Sequence, residues 1–240
     1  MIHSFGISHV GRVRKNNEDR HLEVPELGLY LVADGMGGAL AGERASQLAA
    51  EAIESEIRTI GPDAGPDDLE RAMHAANRIV RDEARSQSQY AGMGTTIVAL
   101  LLKPGKAYAA NVGDSRLYRM RGGSLECITS DHSWVNEVGR NIGLSDDELK
   151  THAYRNMLTR AIGADDTVEG ELLEVGFAPG DMLLLSTDGL HGVIDDSRIA
   201  AILASSAPLP DLGQALVDSV LESGAPDNVT AVLISAAPNS

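Results

Sequence analysis

Four aspartates stand at the ends of apolar segments that are typical of buried β-strands. Asp34, Asp114 and Asp188 each follow such a segment, and Asp227 lies just before one. A bare carboxylate at the end of a core strand is costly to remove from water, so each must face solvent, a hydrogen-bonding turn or a cation. Carboxylate oxygens are also the ligands that hard divalent metal ions prefer. The four aspartates are therefore candidates for a shared metal site.

Two of these aspartates belong to Asp-Gly pairs, which are also typical of tight hairpin turns. The residues after each pair weaken that interpretation, because a helix rather than a returning strand is predicted after Gly35 and after Gly189. Four carboxylates gathered at one end of a sandwich would repel one another, and a divalent cation would relieve that repulsion. Since the chain has no cysteine or histidine cluster, Mg²⁺ or Mn²⁺ is favoured over Zn²⁺.

A densely charged segment, residues 12–20, allows two interpretations. Composition alone is compatible with a solvated loop. The alternative is a functional segment, in which an arginine binds an anionic substrate beside carboxylates that contribute to a metal site.

Other catalytic motifs are incomplete. The Gly-Met-Gly segment at 35–37 resembles the start of a dinucleotide-binding loop, but Leu40 stands where the third glycine is required. No Walker loop or His-Glu-x-x-His pattern occurs, and Ser186 lacks the flanking glycines of a nucleophile elbow. His132 and His191 lie near the candidate site in the sequence, but a lone histidine is more often a packing residue, so neither is assigned to catalysis.

The elements that must position these residues begin with short apolar runs, predicted to be β-strands. They cover residues 29–33, 96–102, 107–112, 117–120, 172–177, 182–185 and 229–234. Short turns between neighbouring runs, including Pro104-Gly105 and Pro179-Gly180, predict antiparallel hairpins.

Three segments are predicted to be helices: residues 45–57, 69–80 and 212–220. Asp67 followed by Glu70 is interpreted as the capping box of the second helix, and Asp211 as the cap of the third. Strands, two helices, further strands and a late helix indicate an α+β fold. The segment 131–157 is polar and irregular apart from a capped turn, which predicts a flap inserted between strands.

Composition limits the class of protein. The chain has 240 residues, 43% of them hydrophobic, and a formal charge of −15. This hydrophobic content can form a sizeable core, whereas the charge would repel a phosphate backbone, so no nucleic-acid partner is expected. The longest aliphatic run is far shorter than the roughly 20 residues that span a bilayer, and the first residues are not those of a signal peptide. A cytoplasmic protein without a membrane segment is expected, and the single cysteine, Cys127, excludes an internal disulfide.

Six segments, taken together and in order, match the motifs of one known family. They are residues 11–19 (GRVRKNNED), 32–38 (VADGMGG), 92–96 (GMGTT), 111–116 (NVGDSR), 186–190 (STDGL) and 226–230 (PDNVT). The chain resembles, over essentially its whole length, the bacterial branch of the metal-dependent type 2C protein phosphatases, the PPM family. The resemblance implies one catalytic domain over residues 1–240 with an α+β, four-layer α-β-β-α sandwich. Two central antiparallel sheets would be flanked by helix pairs, with a metal cluster at one edge and the flap beside it.

The resemblance also implies which residues bind metal. Two core ions, Mn²⁺ or Mg²⁺, would be bridged by Asp34, and the backbone carbonyl of Gly35 would bind one of them. Asp188 and Asp227 would hold the other ion. Asp114, together with Asp188, would hold a third and weaker ion.

Further roles are implied for residues 14–19. Asp19 would act on a metal through water, with Glu18 nearby, and Arg14 would bind the substrate phosphate. The two cations would lower the pKa of a bridging water, and the resulting hydroxide would attack phosphorus directly, without a phosphoenzyme. A planar guanidinium suits the phosphate because it can grip two of its oxygens.

The sequence departs from the family pattern at two places. Met36 and Ala39 stand where some members carry a histidine that is a proposed general acid, so a metal-bound water or a substrate group would have to supply the proton. In the flap, residues 152–156 read HAYRN, whereas relatives often have a proline after the histidine.

The resemblance predicts a phosphatase that hydrolyses phosphoserine and phosphothreonine in proteins and opposes eukaryotic-like serine/threonine kinases. A monomer is expected, because no heptad or large apolar stripe calls for a partner. Two alternatives stay open: a phosphoprotein-binding module of the same fold that has lost turnover, and a metal-dependent phosphodiesterase. The first would lack a metal aspartate, and the second is disfavoured by the strongly negative charge.

Overall fold

The computed structural model describes residues 1–236, apart from the side chains of Ala39, Asp146 and Lys150, and this part of the chain forms eleven strands. The strands are β1 (Ile2–His9), β2 (Asp19–Val24), β3 (Leu29–Met36), β4 (Gly94–Thr95), β5 (Ile97–Lys103), β6 (Lys106–Val112), β7 (Arg116–Arg121), β8 (Ser124–Cys127), β9 (Glu171–Val175), β10 (Met182–Ser186) and β11 (Val229–Ala236). The seven predicted strands are all present. The first two strands escaped prediction because they lie at sheet edges, where polar and charged residues are compatible with pairing.

Six α-helices occur in the same part of the chain. They are α1 (Ala39–Ile60), α2 (Pro66–Ser86), α3 (Asp146–Thr151), α4 (Asp188–His191), α5 (Asp196–Leu203) and α6 (Leu209–Glu222). The three predicted helices correspond to α1, α2 and α6, and each observed helix extends beyond the predicted segment at both ends. None of the helices in the described residues has the length and hydropathy needed to cross a membrane.

The strands form two antiparallel sheets. One sheet has the order β1-β11-β10-β7-β8, and the other has the order β2-β3-β5-β6-β9 with β4 added beside β3. Three apolar clusters separate the layers. Leu31 and Ile97 of the second sheet pack against Ile53 of α1; Val98 and Leu185 meet between the sheets. On the far side of the first sheet, its apolar residues pack against α4, α5 and α6. The predicted α-β-β-α sandwich is therefore confirmed.

The hairpin predicted around Pro179-Gly180 is wrong. β9 pairs with β6 in the second sheet, whereas β10 pairs with β7 and β11 in the first. The turn therefore passes from one sheet to the other. The apolar pattern of the two strands does not distinguish these arrangements. β9 and β10 bury Val175 and Leu183 in the cluster between the sheets, and two strands in facing sheets bury their apolar side chains as well as two strands of one hairpin.

Two predicted helix caps are also wrong, because both helices begin earlier than their apolar residues indicate. α2 is capped by Gly65, whose N–H donates to the Asp68 carboxylate at 2.8 Å, so Asp67 and Glu70 are not the capping pair. α6 is preceded by Pro208, and Asp211 lies inside its first turn. Prolines near both helix starts fix helical φ angles and extend each helix toward its N-terminus.

The flap at 131–157 contains more local structure than its composition predicts. A π-helical turn spans Val135–Gly139, and the predicted capped turn is the start of α3, where Ser145 and Glu148 cap each other. The ring of Trp134 stacks on His152 with a centroid distance of 4.2 Å. Since aromatic stacking fixes the relative position of two segments, this pair joins the two ends of the flap.

Candidate metal centre

Strand pairing brings the first two carboxylates together. Asp19 begins β2 and lies directly opposite Asp34 of β3 in the antiparallel register. The prediction that Asp34 follows its strand is wrong. Asp34 lies within β3, because Gly35 and Met36 continue the strand by pairing with β4. The Asp34 N–H donates to Thr96 Oγ1 at 3.0 Å, which fixes the backbone of this residue.

The other sheet supplies Asp188 and Asp227. Asp188 directly follows β10 and Asp227 lies just before β11. These strands are antiparallel neighbours, so the end of one meets the start of the next, and the Thr187 N–H donates to the Thr230 carbonyl there at 3.1 Å. Asp114 lies in the connection from β6 to β7, where the chain crosses between sheets.

Asp19 is the most deeply buried of the five aspartates. Burial raises its pKa to about 7, and the nearby charges of Asp188 and Asp227 act in the same direction. The Thr187 hydroxyl opposes this shift by donating to Asp19 Oδ2 at 2.8 Å. The carboxylate is therefore held in an environment that disfavours its own charge.

The neighbouring carboxylates share this property. Desolvation, reinforced by Asp19 and Asp188, raises the pKa of Asp34 well above its ordinary value. Desolvation and the Asp188 charge also raise the pKa of Asp114 to about 7. The pKa of Asp188 is raised by burial, although a hydrogen bond with Asp34 opposes the shift. The five predicted aspartates thus interact as one electrostatic cluster.

Divalent cations fit this cluster. Asp19 Oδ1 is buried without a hydrogen-bond partner among the described residues, and an acceptor in that state is costly unless a ligand satisfies it. Among the described residues, no group of three or more His, Cys, Asp and Glu side chains is positioned to hold a metal ion as it stands. Asp34 instead shares a hydrogen bond with Asp188, and Arg14 binds Asp227. All the atoms of the cluster that could bind a metal ion are carboxylate oxygens, which suits Mg²⁺ or Mn²⁺.

Arg14 and Glu18 lie at the border of the cluster. Arg14 donates to Asp227 Oδ2 at 2.8 Å while its side chain remains 49% exposed, so the guanidinium is accessible from solvent. The pKa of Arg14 is raised chiefly by this hydrogen bond. Glu18 is buried, and desolvation raises its pKa while Arg14 lowers it. The structure therefore places both residues beside the five aspartates.

Gly35 is required by close packing. A Cβ at this position would lie 2.1 Å from the Gly42 carbonyl oxygen of α1 and 2.7 Å from that of Glu18. The Gly35 N–H also donates to the Glu18 carbonyl at 3.2 Å. This glycine lets the helix start and the residue 18 backbone approach the strand that carries Asp34.

Asn228 is a positioning residue that the sequence did not reveal. Its side-chain amide donates to the backbone carbonyls of Val10 and Asn16, each at 2.9 Å, and its Oδ1 accepts the Glu18 N–H at 2.8 Å. One side chain thus joins the loop of Arg14 to the loop of Asp227. The residue belongs to the motif at 226–230, but only its long-range contacts identify its role.

The two histidines noted in the sequence hold the Asp114 loop rather than enter the cluster. His132 Nδ1 accepts the Gly113 N–H at 3.2 Å, and burial lowers the pKa of this histidine. His191 Nδ1 lies 3.0 Å from Ser186 Oγ, and its ring donates to the Asp114 backbone carbonyl. Burial lowers the pKa of His191 to about 3. Both rings are therefore neutral groups that support the loop.

Comparison with known proteins shows which family this chain matches. Residues 6–233 match the family model described as protein phosphatase 2C. Protein phosphatase PhpP of Streptococcus pneumoniae is 34% identical over 239 residues, which cover 95% of each chain. The structure of PppA, a key regulatory component of T6SS in Pseudomonas aeruginosa, is 38% identical and superposes with a TM-score of 0.86, covering 98% of this chain and 97% of that one.

A further solved structure contains metal. The catalytic domain of the serine/threonine protein phosphatase PstP, in complex with two manganese ions, is 30% identical with a TM-score of 0.87. The match covers 98% of this chain and 97% of that chain. A family match over nearly the whole sequence and a shared fold lead to one conclusion. The chain belongs to the protein phosphatase 2C family.

Proposed function

We propose that this protein is a metal-dependent phosphatase that hydrolyses phosphoserine and phosphothreonine monoesters in proteins. The observation that carries the proposal is the cluster of five aspartates at one edge of the sandwich, four of them with a pKa raised by burial and by their neighbours' charges. Because such a cluster is unstable as a set of free anions, cations are its natural ligands. No aspartate of the family pattern is missing, which favours an active enzyme over a binding module.

The roles of the individual ligands are inferred from their positions. Asp34 lies opposite Asp19 and interacts with Asp188, so its carboxylate would help to hold both core ions. The Gly35 carbonyl would bind one of these ions, and Asp188 and Asp227 would hold the other. Asp114 lies near Asp188, and this pair is proposed to hold a weaker third ion. When bound, the cations supply Lewis-acid activation of water and screen the charge of the substrate phosphate.

Asp19 and Glu18 are proposed to act outside the direct ligand set. The Thr187 hydroxyl donates to Asp19 Oδ2, so the buried Oδ1 would be available to orient a water. Glu18 lies beside Arg14 and Asp227, so its carboxylate balances the positive charge of the guanidinium.

Arg14 is proposed to bind the substrate phosphate. Its contact with Asp227 Oδ2 holds the guanidinium at the mouth of the cluster. A cation on Asp227 would compete for that oxygen and free Arg14 for two phosphate oxygens, which its planar fork matches. The same charge would stabilise the negative charge that develops in the transition state.

The proton for the leaving group has no protein donor in this proposal. Met36 replaces a histidine of some relatives, and His132 and His191 are engaged with the Asp114 loop. A water or a group of the substrate therefore supplies the proton.

The proposed partners are proteins phosphorylated by serine/threonine kinases, including such a kinase itself. We further propose one catalytic domain over residues 1–240 that acts as a monomer in the cytoplasm. The strong negative charge disfavours nucleic acid as an alternative partner.

The test is phosphate release from a phosphothreonine peptide in Mn²⁺, in Mg²⁺ and in excess EDTA. A phosphotyrosine peptide and bis-p-nitrophenyl phosphate are measured in parallel. We expect metal-dependent release that favours phosphothreonine. Absence of release from folded protein in either metal would contradict the proposal, and faster hydrolysis of the diester would favour a phosphodiesterase.

A further inference from the structure

A very short strand lies beside the backbone that carries Asp34. β4 has two residues, and they pair with Gly35 and Met36 of β3. Thr95 of β4 also donates its hydroxyl to the Asp34 carbonyl at 2.9 Å. Because a strand of two residues is shorter than most and gives little pairing energy of its own, β4 needs support on its other side.

This support comes from residues 162–165, called here the 162–165 segment. The Thr95 N–H donates to the Ile162 carbonyl at 3.0 Å, and the Ile162 N–H donates to the Thr95 carbonyl at 2.9 Å. Both residues are fully buried. The 162–165 segment therefore backs β4, and its position affects where β4 lies against β3.

The side chain of Asn77, on α2, holds the 162–165 segment. Its Oδ1 accepts the Gly163 N–H at 2.7 Å, and its Nδ2 donates to the Asp165 carbonyl at 3.0 Å. Asn77 is only 2% exposed, so water competes little for these hydrogen bonds. One buried amide thus uses both its donor and its acceptor to fix the backbone of the segment to the helix.

Close packing places the segment within reach of this short side chain. Gly163 has a φ of +90°, and a Cβ there would lie 2.5 Å from Val80 Cγ1 of α2. A glycine is therefore needed for the segment to lie directly against the helix. Arg81 Nη1 adds a hydrogen bond to the Ala164 carbonyl at 3.0 Å.

We propose that Asn77 is a positioning residue for the metal centre. It acts through the 162–165 segment and Thr95, which together fix the backbone of Asp34 and Gly35. This inference rests on the proposed function, in which those two residues bind metal. Removing a group that orients a metal ligand from behind typically weakens metal binding by about 10- to 100-fold.

The test measures Mn²⁺ binding to metal-free protein by isothermal titration calorimetry. We expect Asn77→Ala to raise the dissociation constant (Kd) of the tighter Mn²⁺ sites by about tenfold. Thermal unfolding in EDTA is recorded in parallel, because a residue that only supports the fold would lower Tm and leave Kd unchanged. Peptide substrate is absent from both measurements, so the result does not depend on turnover.

Substitutions of Thr95 test the route between Asn77 and the metal ligands. Thr95→Val removes the hydroxyl that donates to Asp34 and should also raise the Mn²⁺ Kd, whereas Thr95→Ser keeps a hydroxyl and should bind Mn²⁺ like wild type. In the double variant Asn77→Ala/Thr95→Val, Kd should rise by less than the product of the two single increases. Both changes loosen the same contact of β4, so their effects should not be independent.

Ser219→Ala is the matched control. Ser219 is a buried residue of α6, and its hydroxyl accepts a hydrogen bond from Arg198 Nε at 3.0 Å. Since α6 packs on the first sheet, on the opposite side of the sandwich from α2, this variant should lower Tm and keep the wild-type Kd.

Three outcomes would overturn the inference: an unchanged Kd in folded Asn77→Ala, the same increase in Ser219→Ala, or increases that multiply in the double variant. If Asn77→Ala does not fold, Asn77→Asp replaces it. This variant keeps the acceptor for Gly163 and loses the donor to Asp165, so an unchanged Kd would again overturn the inference. Tight Mn²⁺ binding by wild type supports the metal centre whatever the variants show, and no Mn²⁺ binding by wild type would overturn both proposals.

Discussion

Replacing Asp19 with asparagine should stabilise the metal-free protein while weakening its response to metal. A carboxyl whose pKa rises from 3.8 in the unfolded chain to about 7 in the fold destabilises the folded state when it ionises. The full effect is roughly 4 kcal/mol, absent below pH 4 and complete a little above pH 7, because the folded state binds the proton more tightly over that range. The substituted amide would keep an oxygen that can accept from Thr187 and would carry no charge.

The assay is thermal unfolding in EDTA between pH 4.5 and 8.5, for wild type and Asp19→Asn. The Tm advantage of the variant should increase with pH and reach about 10 °C at pH 8. Asp82→Asn, an exposed position on α2, is the control and should show no such increase. Adding Mn²⁺ at pH 8 should stabilise wild type more than Asp19→Asn. An Asp19→Asn variant that is no more stable than wild type at pH 8 would refute the reasoning.

Four further substitutions test the site. Asp34→Ala and Asp188→Ala should each nearly abolish turnover while circular dichroism stays unchanged; wild-type rates from the folded Asp188→Ala protein would exclude the proposed metal role. Arg14→Ala should raise KM for a phosphothreonine peptide by about tenfold, since the guanidinium supplies a paired contact to phosphate, and an unchanged KM would place phosphate binding elsewhere. Gly35→Ala should lower the urea midpoint, because its Cβ would lie 2.1 Å from the Gly42 carbonyl oxygen; an unchanged midpoint would contradict this packing.

Much of the fold was accessible from local patterns. Apolar runs identify β5, β6, β10 and β11, and helical spacing identifies α1 and α2, because each pattern repeats within a few residues. The edge strand β2 was not predicted, since half of its six residues are charged. The turn at Pro179-Gly180 was misassigned because a local pattern does not state which sheet the next strand joins.

By itself, the sequence determined the candidate aspartates, the preference for a hard cation and the α+β class, because these depend on residue type and on position relative to apolar segments. Only the tertiary structure placed Asp19 opposite Asp34 and gave Asn228 its three contacts. Each of these results joins residues that are distant in the chain. Such contacts are set by strand register and layer packing, which depend on the packing of the whole core and not on any local segment.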